Sequence, residues 1–205
     1  CFFEGTPIIS HRETRRLLGK IGDEALRAAQ AETPELNEVS IRLPDITYRG
    51  RAAIRLGELT IELIHAPGNS PDGTMVYVAE EKVLFAGDAM LPVPYVASGD
   101  VDQLIATLRA MKELGAETLV QGHGDTLLRG EIPDCIDDAI RYLRRLREFV
   151  KKAVAKGASQ RELLGWDIEK AGLSRIPLGG VVQDLHRANV LALYKAAREQ
   201  RAREA

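Results

Sequence analysis

The sequence predicts a layered protein of mixed helix and strand, α/β in the broad sense and α+β in detail, carrying a helical extension. Three observations carry this expectation. Short β-rich runs alternate with amphipathic helical runs through the middle of the chain, and beyond about residue 130 the periodicity is helical throughout. The apolar content, 45% of 205 residues, is enough for one sizeable core. The expected organisation is a domain over residues 1–130 with a helical extension over residues 131–205 packed on it.

Taken in order, Thr6 to Ile9 reads as a short buried strand. Ser10 and Glu13 have the spacing of a capping box, which opens a helix through Leu17 and Leu18. A second helical stretch covers Asp23 to Glu32 and stops before Pro34. From Ile41 the pattern turns to strands. Arg51 to Leu56 and Leu59 to His65 flank Gly57-Glu58 as a hairpin, and Met75 to Ala79 and Val83 to Ala86 form a second pair. Asp100 is the N-cap of a helix to Leu114, because Val101, Leu104, Ile105, Leu108 and Met111 recur at helical spacing. Thr118 to Val120 is a buried strand running into Gln121-Gly122-His123-Gly124-Asp125. A long helix follows from Pro133 to Lys156. Ser159 and Glu162 repeat the capping-box spacing, and a last helix covers Gly180 to Arg201.

Bulk charge excludes some functions. With 28 basic and 30 acidic residues the net charge is −2, which supplies no field for capturing nucleic acid. No run reaches the roughly 18 apolar residues that a membrane span needs. Cys1 and Cys135 are too few for a disulfide framework or a thiolate zinc site, so a reducing, cytoplasmic setting is expected. Cys1 as a catalytic N-terminal nucleophile lacks an obvious base nearby, and a chain that opens there without methionine reads as one missing its upstream part.

Chemistry is expected where polar residues follow directly on buried strands. The turn His65-Ala66-Pro67-Gly68-Asn69-Ser70-Pro71-Asp72-Gly73 is stiffened by proline and presents Asn69, Ser70 and Asp72. Phe85-Ala86-Gly87-Asp88 delivers a carboxylate, and Leu91-Pro92-Val93-Pro94-Tyr95 forms a stiff pocket wall beside it. Glycines on both sides of His123 allow close approach to whatever the imidazole binds. Taken singly, each has a plainer reading. An Asp after a strand caps a turn, Gly-His-Gly is a turn, His11 and His65 are structural or exposed, and His186 is a surface or packing residue of the last helix. Trp166 and the 176–180 segment read as packing and turn elements before they read as pocket lining.

Together, the Pro-Gly turn, the hairpin, Val83 to Asp88, the helix, and the strand leading into Gly122-His123-Gly124 resemble the second half of the metallo-β-lactamase-like hydrolases. The likeness runs over roughly residues 6–126. It implies part of an αββα sandwich, with Asp88 bridging metals as the catalytic carboxylate and His123 as a second metal ligand. It also implies one or two zinc ions, with iron or manganese as alternatives, and hydrolysis of a small ester, thioester, lactone or related small-molecule substrate by metal-bound hydroxide. Two departures stand against a complete site. The family's His-x-His-x-Asp-His motif is absent, the four histidines lying at 11, 65, 123 and 186. Asn69 occupies the Pro-Gly turn where the family carries histidine, and an amide is a poor zinc ligand. Asp88 and His123 alone leave the expected centre short of the three protein ligands usual in catalytic zinc sites.

The expectation is therefore a hydrolase whose remaining ligands lie upstream, or else a metal-free binding or assembly module. Tyr95 and Ser70 are candidate substrate contacts beside the altered position Asn69. A half sandwich would also leave an apolar sheet face open, to be covered by an upstream segment, a second chain as in a homodimer, or the terminal helices folding back. At ~25 cal/mol per Å², leaving ~600 Å² uncovered forgoes about 15 kcal/mol, the size of a whole domain's stability.

Overall fold

The computed structural model describes residues 5–204, so the reading of Cys1 lies outside the described residues. The chain divides into two compact units, residues 1–52 and 53–205.

In the first unit, β1 (Ile9–His11) pairs in parallel with β2 (Ile46–Tyr48), Ser10 opposite Thr47 and His11 opposite Tyr48. Helix α1 (Arg12–Leu17) runs through a π turn at Leu18–Gly22 into α2 (Asp23–Glu32). The expected capping box does not form, because pairing with β2 keeps Ser10 extended and starts the helix later. His11 is the N-cap instead, its Nδ1 accepting from the Glu13 N–H at 3.4 Å, while the Ser10 hydroxyl donates to the His11 carbonyl at 2.9 Å.

The second unit is built on a six-stranded sheet in which β3 (Arg51–Leu56), β4 (Leu59–His65), β5 (Thr74–Val78), β6 (Val83–Gly87), β7 (Thr118–Gln121) and β8 (Leu127–Leu128) lie side by side in chain order. Every pairing from β4 onward is antiparallel except β6 with β7, which are parallel and joined by the crossover helix α3 (Val101–Glu113). The Asp100 carboxylate caps that helix by accepting from the Gln103 N–H at 2.8 Å. Alternation along the strands sends Ile64, Met75, Leu84, Ala86 and Leu119 to one face, where they are buried. Against this face pack α3 and α4 (Ile132–Ala155), the latter through Ile136, Ile140, Leu143, Leu146 and Val150 at three- and four-residue spacing. Ion pairs Lys112–Asp137 and Arg147–Asp102 lie at opposite ends of α3, so the two helices run antiparallel.

Three further helices complete this layer: α5 (Gln160–Leu164), α6 (Ile168–Ala171) and α7 (Val182–Glu204). The second capping box does form, Ser159 and Glu162 each bonding the other's backbone N–H. A buried polar chain ties α7 to α4 and to the 91–99 loop. The Trp166 carbonyl, 2.8 Å from His186 Nε2, requires a proton on that nitrogen, so Nδ1 accepts from the Tyr142 hydroxyl at 3.0 Å. Asn189 donates to the Tyr142 oxygen at 3.2 Å and to the Pro94 carbonyl at 2.7 Å, and accepts from the Val96 N–H at 2.8 Å. His186 is thus a packing residue of the interior, 1% exposed.

The opposite sheet face is apolar and bears no helix layer from this unit. Register aligns Leu63, Val76, Phe85 and Val120 in one row and Ile61, Val78, Val83, Thr118 and Leu128 in the next. No charged residue occurs in either row, yet Phe85 is 46% and Leu128 59% exposed. No described helix is long and apolar enough to cross a membrane.

Burial lowers the pKa of His186 below 6.5. In the window from about 6.5 down to the folded-state value the unfolded chain binds the extra proton, so stability rises with pH there. Melting temperature is expected to fall between pH 7 and pH 5, before the carboxylates titrate, and to fall less in His186→Gln; equal slopes in the two proteins would refute the assignment. Tyr142→Phe, which leaves His186 Nδ1 and an Asn189 N–H unmet, should cost about 1–3 kcal/mol in denaturant unfolding.

Candidate functional site

Strand polarity gathers three loops at one end of the sheet. Because β6 and β7 are parallel, Gly87-Asp88 and Gln121-Gly122-His123 leave the sheet together, Gly87 lying opposite Gln121. Strand β4 runs the same way as β6, both being antiparallel to β5, so the turn after His65 joins them. Polar residues beyond the carboxyl ends of strands are where open α/β sheets place their ligands.

At the centre the Asp88 Oδ1 and His123 Nε2 stand 3.9 Å apart. Their side chains are 53% and 68% exposed, respectively, and an exposed pair of this kind contributes little to stability. Backbone packing must therefore hold them in place. The Gly122 N–H donates to the Gly87 carbonyl at 2.9 Å and to the Met90 carbonyl at 3.3 Å. A Cβ at position 122 would lie 2.2 Å from Asp88 Oδ1, so only glycine lets the two loops meet this closely. Gln121 Nε2 donates to the Asp125 carbonyl at 2.7 Å and closes the histidine turn on its far side. Ala89, Met90, Leu91 and Val93 are buried and anchor the segment that follows Asp88.

The Pro-Gly turn is held just as tightly. The Ala66 N–H donates to the Gly73 carbonyl at 2.8 Å, the Gly68 N–H to the Ser70 carbonyl at 3.1 Å, and the Thr107 hydroxyl to the Pro67 carbonyl at 2.6 Å. Gly68 has φ +133°, and a Cβ there would lie 2.3 Å from the Leu104 Cα, so α3 packs directly on the turn. The Asn69 amide donates to the Tyr95 carbonyl at 3.0 Å. Asn69 is thus engaged with the 91–99 loop, the loop that Asn189 grips through Pro94 and Val96. Ser70 and Tyr95 are half-buried beside it. The sequence reading missed Asn189 and Tyr142, since their partners lie up to 95 residues away and nothing local marks them.

The donors present are those that zinc takes, one carboxylate and one imidazole. Two donors on one tetrahedral ion at about 2.0–2.2 Å sit roughly 3.4 Å apart, so a shift of a few tenths of an ångström would let Asp88 and His123 share an ion. The number of donors does not complete a centre. Among the described residues no group of three or more His, Cys, Asp or Glu side chains is gathered where a metal could be held.

Comparison with known proteins bears on the family and the fold. The family model described as the metallo-beta-lactamase superfamily matches residues 4–123. A beta-lactamase-like protein 2 homolog of Caenorhabditis elegans is 29% identical over 93 residues, 45% of this chain and 31% of that protein. An atrochrysone carboxyl ACP thioesterase of Pseudocercospora fijiensis (strain CIRAD86) is 29% identical over 134 residues, 60% of this chain and 40% of that protein. The chain therefore spans well under half the length of these curated relatives. Among solved structures, a metallo-beta-lactamase family protein from Thermus thermophilus superposes with a TM-score of 0.64 at 20% identity, covering 96% of this chain and 67% of that one. With this fold and the Asp88–His123 end of its sheet, the chain belongs to the metallo-beta-lactamase superfamily.

Proposed function

We propose that this chain contributes Asp88 and His123 to the metal centre of a hydrolase acting on a small ester, thioester, lactone or related small molecule. The observation that carries the reading is the 3.9 Å approach of these side chains at the carboxyl ends of two parallel strands, backed by the superfamily assignment and by a thioesterase among the relatives. A divalent ion held there supplies Lewis acidity and lowers the pKa of water toward neutrality. The chain's own residues do the rest: Asp88 and His123 would hold that ion, Asn69 fixes the Pro-Gly turn against Tyr95, and Ser70 and Tyr95 would form a wall for substrate. Two donors among the described residues are one short of a catalytic zinc site, so the remaining ligands are assigned to polypeptide outside the described residues.

A second reading, a metal-free binding or assembly module, is favoured by Asn69, whose amide is committed to the Tyr95 carbonyl. Zinc titration with hydrolysis of a thioester, ester and lactone panel separates the two. Carried out on the longest form that the gene encodes, it should show zinc-dependent turnover that drops at least about 100-fold in Asp88→Asn and in His123→Ala. Absence of both zinc binding and turnover in that form would favour the binding module. In a form that contains the remaining ligands, Asn69→His should tighten zinc binding measurably, and an unchanged affinity would show that position 69 is not a ligand position.

Gly122→Ala gives an independent check on geometry. Its methyl group must displace the Asp88 carboxylate and also press on the Gly87 carbonyl carbon at 2.7 Å and the Asp88 nitrogen at 2.9 Å, so zinc affinity should fall by at least about tenfold and the melting temperature should fall with it. Retained affinity would mean that Asp88 does not hold the ion.

The uncharged sheet face belongs to the same proposal, with an upstream segment or a second copy of the chain covering it. Sedimentation of the 205-residue chain at micromolar concentration should show self-association that Phe85→Lys weakens. A cooperatively melting monomer would contradict this part of the reading.

A further inference from the structure

Within the second unit, the C-terminal half of α4 meets α6 and α7 around an open cleft of about 1380 Å³. Its floor is apolar. Phe149 and Trp166 lie parallel with ring centroids 4.2 Å apart, and Val154, Leu193 and Ala197 continue the surface. Its rim is cationic, with Arg144, Arg145, Lys151 and Lys152 on α4, Lys170 on α6 and Arg201 on α7. The sole acid lining it, Glu148, is already paired with Lys152 at 2.8 Å.

Part of this charge has an internal use. Arg147, which also borders the cleft, pairs with Asp102, and Arg201 Nη1 donates to the Val154 carbonyl at 2.7 Å, closing the end of α4. Basic residues near a helix C-terminus are favoured by its dipole in any case. Neither fact accounts for Arg144, Arg145, Lys151 and Lys170, which make no ion pair among the described residues and converge from two helices on one apolar floor.

Shape and charge select the occupant. The cleft exceeds the ~300–1,000 Å³ of ordinary small-molecule pockets. Its α4 wall from Arg144 to Ala155 is roughly 17 Å long at 1.5 Å per residue, about three helical turns. The surface is concave, which a bilayer does not match. Phe149 and Trp166 each give one ring face to the other, which leaves a base at most the outer face of each. An apolar floor with cations along its sides is complementary to a helix that carries an apolar stripe edged by carboxylates. We infer that this cleft docks an acidic amphipathic helix of a partner protein, independently of the Asp88–His123 reading.

Trp166 is the only tryptophan, so its emission reports occupancy of the cleft. The probe is a synthetic peptide of about 16 residues, with Leu at helical i, i+3, i+4, i+7 spacing and Glu elsewhere. It should shift Trp166 emission and gain helical circular dichroism on titration with the 205-residue protein. A scrambled peptide of equal composition, and the triple variant Arg144→Glu, Arg145→Glu, Lys151→Glu, should each bind at least about tenfold more weakly. If the triple variant does not fold, the corresponding glutamine variant takes its place. Equal binding of both peptides, no binding up to about 1 mM (weaker than −4.1 kcal/mol), or tighter binding of oligodeoxythymidine or anionic phospholipid vesicles would overturn the proposal.

Discussion

Everything at the candidate site depends on the parallel pairing of β6 with β7. Antiparallel neighbours send their carboxyl ends in opposite directions, so only a crossover can bring two strand ends and the residues beyond them together. Helix α3 supplies it, buried on the sheet through Leu104, Ile105, Leu108 and Met111, and the next strand returns beside the first. Asp88 and His123 then meet because the backbone at Gly122 rests against Asp88. The chemistry of the pair is thus set by packing beneath it, while the side chains themselves stay open to water.

Much of this is legible in the sequence. Both hairpins fall within a residue or two of their expected limits, because β-branched runs broken by Gly57-Glu58 and by Glu80-Glu81-Lys82 leave little choice of register. Helix α3 starts where Asp100 predicts, and Asp88 and His123 are identifiable as polar residues directly after buried strands. Strands β2 and β8, three and two residues long, escape a reading of periodicity, since so few residues carry no period. Capping-box spacing points to Ser10 although His11 holds the cap, because that spacing does not reveal that strand pairing keeps Ser10 extended.

The least legible part is the buried polar chain through His186, Tyr142 and Asn189. On a helical wheel such residues look like ordinary polar positions, and only the tertiary fold shows that each donor has its acceptor. Among the described residues no buried side-chain nitrogen or oxygen lacks a partner. A fully satisfied network is directional as well as adhesive, since one tautomer of His186 and one orientation of Asn189 suit it. It fixes Pro94 and Val96, hence the Tyr95 carbonyl that holds Asn69. The helical extension therefore shapes the neighbourhood of the site without supplying a residue to its centre.

The order of strands across the sheet has a consequence for how the molecule comes into being. From β3 to β8, spatial order repeats chain order, so each strand is laid down beside the one made just before it. The connections between β3, β4, β5 and β6 are short to close, which favours early formation of that part, whereas β7 pairs with β6 only after the crossover through α3 has closed. The part of the uncharged face carried by β4, β5 and β6 therefore forms before β7 and β8 add to it. Phe85 lies on that early part and is 46% exposed, so while this apolar surface stays open the chain is prone to associate through it.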